Sequence, residues 1–161
     1  MDTLKPAVIL LVEDDLADQK LVKRSIGQAK IANELNIVSG GEQALEYLQG
    51  SKNANETTPM PDLILLDLNM PGMSGQELLK LIKADEELQI IPVVILTTSD
   101  SDKDILDSFK LQAAGYIKKP VTLEGFHEAM KILGEYWFVI CKRIIYEGKC
   151  KNTSDQCLIS G

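Results

Sequence analysis

Five short apolar runs alternate along the chain with five stretches whose apolar residues recur at helical spacing. The runs are Ala7–Val12, Asn36–Val38 (the weakest), Leu63–Leu66, Pro92–Leu96 and Gly115–Ile117. Three of them are continuously apolar rather than alternating, the pattern of strands covered on both faces. Pro61 and Pro92 stand just ahead of a run, where a missing N–H does least harm to a ladder.

The helical stretches announce their starts. Ser39-x-x-Glu42, Ser74-x-x-Glu77 and Ser101-x-x-Asp104 read as capping boxes, in which a hydroxyl and a carboxylate satisfy free amide groups. Behind the caps come Val22, Ile26 and Ala29 in the first helix and Ile105, Phe109 and Ala113 in the fourth. The fifth, from about Thr122, carries an apolar stripe of Phe126, Met130, Leu133, Trp137, Ile140 and Ile144. The polar stretch from Ser51 to Pro61 predicts an extended connection into the third strand.

Strict alternation of strand and helix predicts an α/β fold: a parallel sheet with right-handed crossovers and helices on both faces. Such sheets bind ligands beyond the carboxyl ends of their strands. At 161 residues, 45% of them apolar, the chain suits one domain with a sizeable core. The division expected is a domain over 1–140 and a helix extension and tail over 141–161. No apolar run approaches the ~20 residues of a membrane span. Met1 to Lys5 do not read as a signal peptide, so a cytoplasmic location is expected. The net charge of −7 argues against nucleic acid as the main partner, although residues 141–161 hold four cations against two acids. Cys141, Cys150 and Cys157 all lie in that tail without C-x-x-C spacing, and they predict neither a zinc site nor a disulfide framework.

Chemistry-bearing residues follow four of the five runs. Glu13-Asp14-Asp15 come after the first, Asp67-Leu68-Asn69 after the third, Thr97-Thr98 close the fourth and Lys119-Pro120 follow the fifth. Like charges ~4 Å apart at an effective dielectric of ~20 repel by about 4 kcal/mol, so acids gathered on one rim call for a cation. Carboxylates with a backbone carbonyl and water are the ligands Mg²⁺ prefers. Lys119 and the Thr97 hydroxyl suit the oxygens of a phosphoryl group, and Asp67, alone at the end of the central strand, suits a nucleophilic acceptor. Glu13 to Asp15 taken alone equally fit the first turn of a helix.

The segments Ile9–Asp15, Pro61–Gly75, Pro92–Thr98 and Gly115–Pro120 together resemble the receiver domains of bacterial two-component response regulators, over roughly residues 6 to 140. The resemblance implies a doubly wound, flavodoxin-like five-stranded parallel sheet of order 2-1-3-4-5 with an extended last helix. It implies Asp67 as phosphoacceptor, Asp14 as a direct Mg²⁺ ligand, Glu13 as a water-mediated one and Asn69 as donor of a backbone carbonyl to the metal. Thr97 and Tyr116 fill the family's switch positions, Lys119 the phosphoryl-binding lysine position, and the Lys119–Pro120 bond is expected to be cis. A shift of the acidic pair to Asp14 and Asp15 is the alternative; strand spacing favours Glu13 and Asp14. Leu66–Pro71, Leu96–Ser99, the long loop before Pro61 and Gly134–Phe138 look like stand-alone regulators paired with bacterial phytochrome histidine kinases. A sensor histidine kinase, such as one of these phytochromes, is therefore the expected partner, and an unidentified downstream protein is expected to receive the output.

Other readings fare worse. A cofactor binder on this fold needs a glycine- and hydroxyl-rich first loop, and Glu13-Asp14-Asp15 repel phosphate. A phosphohydrolase working through an aspartyl-phosphate typically carries a second acid two residues after the nucleophile, where Asn69 stands. A non-phosphorylated scaffold has no use for the set Asp14, Asp67, Thr97 and Lys119. His127, the single histidine, is read as a surface residue, and Met60, Met70 and Met73 as packing. Asn55-x-Thr57 and Asn152-x-Ser154 are read as chance glycosylation matches. Ile132, Tyr136, Val139 and Tyr146 form a second stripe on the last helix, which predicts a homodimer through the face of the fourth helix, fifth strand and fifth helix.

Overall fold

The alternation of side-chain direction along each strand divides the apolar residues between two cores. In the computed structural model, which describes residues 7–29, 33–52, 58–98 and 111–133, five strands are paired. They are β1 (Ala7–Val12), β2 (Asn33–Val38), β3 (Leu63–Asp67), β4 (Val93–Thr97) and β5 (Gly115–Lys118). All pairs are parallel and the order is β2-β1-β3-β4-β5. The helices among the described residues are α1 (Leu16–Gly27), α2 (Gly41–Ser51), α3 (Gly75–Ala84) and α4 (Leu123–Leu133). The last is the fifth helix of the sequence pattern, because the fourth predicted helix, with Ser101, Ile105 and Phe109, lies outside the described residues.

Ile9, Leu11, Leu63, Leu65, Val94 and Leu96 point to one face, where Val22 and Ile26 of α1 and Phe126 and Met130 of α4 cover them. Leu10, Val12, Ile64, Leu66, Val93 and Ile95 point to the other, beneath Ala44 and Leu48 of α2 and Leu78, Leu79 and Ile82 of α3. Every residue of β3 and β4 is buried, hence their continuously apolar sequences. Each such Leu or Ile contributes about 1.5–3 kcal/mol relative to exposure. The stripe of α4 is buried at Phe126 and Met130 and half-buried at Leu133; Trp137, Ile140, Ile144 and the second stripe beyond Ile132 lie outside the described residues.

β2 is longer than its sequence suggests, running from Asn33 rather than Asn36. Among the described residues it is an edge strand paired only with β1, so Asn33, Glu34 and Asn36 are partly or wholly exposed, which blurs the apolar signal. The box expected at Ser74 forms: Ser74 Oγ accepts from Glu77 N–H at 3.2 Å, and Glu77 Oε1 accepts from Ser74 N–H at 3.1 Å. The box expected at Ser39 does not. Gly40 is the N-cap of α2, so Gln43 rather than Glu42 occupies the third helical position, and Gln43 Oε1 accepts from Ser39 N–H at 2.8 Å. Ala113 is not helical but sits half-buried in the approach to β5, where the next residue, Ala114, donates its N–H to Val93 O at 2.8 Å.

Candidate functional site

Parallel pairing aligns the carboxyl ends of four strands, with Asp67 opposite Leu96 and Thr97 opposite Lys118. Residues just past β1, at the ends of β3 and β4 and just past β5 therefore meet on one rim. The Glu13 N–H donates to Val38 O at 3.1 Å, which prolongs the β1–β2 ladder and turns its side chain inward; the residue is fully buried. Asp14 is exposed beside it. Asp15 faces away as the N-cap of α1, its Oδ1 accepting from the N–H groups of Ala17 at 2.8 Å and Asp18 at 3.2 Å. The acidic triplet is divided by residue: Asp15 caps the helix, while Glu13 and Asp14 lie with Asp67.

Carboxylate oxygens of Glu13, Asp14 and Asp67 lie within 4.8 Å of one another. Asp67 is 4% exposed, and its Oδ1 accepts from the Asn69 N–H at 3.1 Å, which folds the loop after β3 back over the strand end. Gly75 fixes that loop from the other side. Its N–H donates to Leu68 O at 3.1 Å, and a Cβ there would lie 2.3 Å from Asp67 O and 2.6 Å from Leu68 Cα. Only a residue without a side chain lets α3 begin against the phosphoacceptor candidate's backbone. Glu42 holds the middle of the loop, Oε2 accepting from Met73 N–H at 2.9 Å.

Lys119 reaches back from the end of β5, its own N–H donating to Thr97 O at 2.8 Å. Its Nζ stands 2.7 Å from Glu13 Oε1, 3.0 Å from Asp18 Oδ2 and 3.1 Å from Asp67 Oδ2. The Lys119–Pro120 bond is cis. Thr97 is buried at the end of β4, and Tyr116 is half-buried against the core under α2 and α3. Asn69 is exposed at the mouth and His127 is exposed on α4. Met60, Met70 and Met73 all pack into or against the second core.

Burial pushes the Glu13 carboxyl up to about 7; the Lys119 ammonium and the Asp15 N–H oppose that shift and the Asp67 charge adds to it. Burial acts to lower the Lys119 pKa, yet the carboxylates of Glu13, Asp18 and Asp67 outweigh it and hold the ammonium above its usual range. Among the described residues, Glu13 Oε1 meets no well-aligned hydrogen-bond donor despite its ion pair with Lys119. One cation thus serves several acids, and a buried carboxylate oxygen retains an unused lone pair. Hard oxygen donors, excess negative charge and an unsatisfied acceptor fit a divalent cation.

Asp18, Gln19 and Gly75 are site residues that sequence reasoning missed. The Gln19 side-chain amide donates to Glu13 O at 2.7 Å. Asp15-x-x-Asp18 repeats the capping spacing recognised elsewhere in the chain, a usable signal for the first turn of α1, but its contact with Lys119 spans 101 residues.

A doubly wound parallel sheet with an acid cluster and a lysine on its carboxyl rim is the architecture of a phosphorelay receiver. The family described as response regulator receiver domain matches residues 9–131, and the chain belongs to it. Among curated relatives, response regulator Rcp1 of Synechocystis sp. is 39% identical over 132 residues, covering 82% of this chain and 89% of that protein. Among solved structures, the bacteriophytochrome response regulator RtBRR has a TM-score of 0.73 at 39% identity, covering 81% of this chain and 79% of its own. The Mn²⁺-bound form of Rcp1 has a TM-score of 0.64 at 39% identity, covering 84% and 95%.

Proposed function

We propose that this chain is a stand-alone response regulator that accepts a phosphoryl group on Asp67 from a phosphohistidine of a sensor kinase, in a Mg²⁺-dependent reaction. The observation that carries the reading is the Asp67 carboxylate itself: nearly buried at the end of the central strand, clustered with Glu13 and Asp14 and 3.1 Å from Lys119 Nζ. An Asp67 carboxylate oxygen attacks phosphorus, the N–P bond of the donor breaks, and the departing imidazole nitrogen keeps the electron pair and takes a proton. The product is an acyl phosphate. Glu13, Asp14, Asp67 and the Asn69 carbonyl are the residues that would hold Mg²⁺, which when bound offsets the negative charge gathered at the rim. Lys119 and Thr97 bind the phosphoryl oxygens. Asn69 occupies the position from which an acid would activate water, so the chain hydrolyses its own phosphoaspartate slowly and turns over no outside substrate.

The new charge on Asp67 redirects Thr97 and Tyr116, and the face of the fourth sequence-predicted helix, β5 and α4 passes the signal on. Homodimerisation and output to a downstream protein are proposed to use the same face, of which the fourth sequence-predicted helix and the second stripe beyond Ile132 lie outside the described residues. A phytochrome-type kinase is supported by the bacteriophytochrome regulator RtBRR among the similar structures. A cytoplasmic setting suits that partner, and among the described residues no helix is long and apolar enough to cross a membrane. The domain is assigned to 1–140 and the helix extension and tail to 141–161. The test is labelling from a phosphohistidine donor or acetyl phosphate. Wild type labels with Mg²⁺ or Mn²⁺ and not with chelator, and Asp67→Asn does not label; equal labelling of Asp67→Asn overturns the proposal.

A further inference from the structure

Lys119 has three carboxylates around its ammonium, and they are not equivalent. The ammonium lies 2.7 Å from Glu13 Oε1 and 3.1 Å from Asp67 Oδ2, and it donates a hydrogen bond to Asp18 Oδ2 at 3.0 Å. The side chains of Glu13 and Asp67 are 0% and 5% exposed, while that of Asp18 is 26% exposed. Glu13 and Asp67 also belong to the carboxylate group suited to a cation, and Asp18 does not. Of the three, Asp18 is thus the outermost acid and the one outside the group suited to a cation.

Asp18 is held in that place by its helix. Asp15 caps α1 through the N–H groups of Ala17 and Asp18, so Asp18 is the third residue of the first turn, where free backbone N–H groups favour a negative side chain. An anion entering the site needs the Lys119 ammonium, and the least costly way to free it is to return the most exposed carboxylate to water. Loss of Asp18 does not release the lysine, since Glu13 and Asp67 still flank it.

We propose that Asp18 is a positioning residue that acts through Lys119: it is the counter-ion that the lysine exchanges for an incoming phosphoryl oxygen, and so it sets a brake on anion capture. The inference rests on the phosphoacceptor reading above. Removing its charge lowers the cost of the exchange and removes a repulsion, while partial exposure screens the effect to about three- to tenfold in affinity. A merely structural role predicts the opposite sign, because a looser lysine binds anions less well.

The experiment titrates beryllofluoride, a phosphoryl mimic, into protein saturated with Mg²⁺ and follows the Thr97 amide resonance at low and high salt. Asp18→Asn, which keeps an acceptor oxygen, binds beryllofluoride about three- to tenfold more tightly than wild type at low salt, and the gap narrows at high salt. Asp18→Glu, which restores the charge, returns most of the way to wild type. Mg²⁺ affinity, measured separately, changes less than twofold in both variants, because Asp18 lies outside the acid cluster. Equal or weaker beryllofluoride binding by Asp18→Asn, or a gain shared by Asp18→Glu, overturns the proposal. Failure of wild type itself to bind beryllofluoride overturns the phosphoacceptor reading instead.

Discussion

Gly75 and Gly27 offer the same chemical change with opposite outcomes. Both are helical, at the first residue of α3 and the last of α1, and replacing a helical glycine by alanine lowers the entropy lost on folding by about 0.5–1 kcal/mol. At Gly27 an added Cβ meets nothing within 4 Å among the described residues, so no clash opposes that gain. At Gly75 the Cβ lands 2.3 Å from Asp67 O, 2.6 Å from Leu68 Cα and 3.0 Å from Asp67 C. All three atoms are backbone, and no rotamer relieves them. Either α3 withdraws and weakens the 3.1 Å bond from Gly75 N–H to Leu68 O, or the end of β3 shifts. Overpacking of this kind costs about 1–3 kcal/mol, and losing the hydrogen bond adds about 1 kcal/mol, so the clash exceeds the entropic gain. Urea unfolding should show Gly27→Ala more stable than wild type by up to ~1 kcal/mol and Gly75→Ala less stable by about 1–3 kcal/mol. Gly75→Ala should also label more slowly from acetyl phosphate, because the displaced backbone carries Asp67. A Gly75→Ala protein as stable as wild type, with unaltered labelling, refutes the claim that bare backbone at residue 75 holds the site.

Asp14→Ala should weaken Mg²⁺ binding strongly and Asp15→Ala little, with Asp15→Ala instead losing about 1 kcal/mol of stability as a lost helix cap; the reverse order in a metal titration refutes the division of the acidic triplet. Tyr47 is one of four tyrosines, and burial followed by the Glu34 charge, against the Asn36 hydrogen bond, pushes its hydroxyl up to about 12. Its folded value lies above the unfolded value near 10, so the associated stability is complete below pH 10 and is lost as pH rises through about 12. Ultraviolet titration should show a late-ionising tyrosine that Tyr47→Phe removes; unchanged late ionisation in that variant contradicts the assignment. The same substitution removes the bond from Tyr47 Oη to Pro59 O, at 2.8 Å, and should cost about 1 kcal/mol in urea. Ser74→Ala, which opens the capping box of α3, should cost about 1 kcal/mol, and no loss in urea unfolding contradicts the box.

The strands that carry the site were legible because their surroundings are simple. β1, β3 and β4 are covered on both faces, so burial imposes a continuous apolar run that stands out from any loop. β2 was half hidden because an edge strand tolerates Asn33, Glu34 and Asn36. Caps were legible where chain-local spacing decides them, as at Ser74, and misplaced by one residue at Ser39, where Glu42 is drawn to Met73 N–H by a contact 31 residues away. The residues that close the rim were nameable from their position after each strand, together with the family resemblance. Asp18 and Gly75 were not, because the roles of both depend on a neighbour that only the folded sheet supplies: Lys119 for one, the backbone of Asp67 and Leu68 for the other.

The central claim is that Asp67 becomes an acyl phosphate, and borohydride trapping reads that bond directly. Protein treated with acetyl phosphate and Mg²⁺, reduced with borohydride, digested and sequenced by mass spectrometry should carry homoserine at position 67 and aspartate at 14, 15 and 18. Omission of the metal should abolish the product. Homoserine at another of these aspartates, or none at 67 under conditions where a known receiver domain is trapped, contradicts the account.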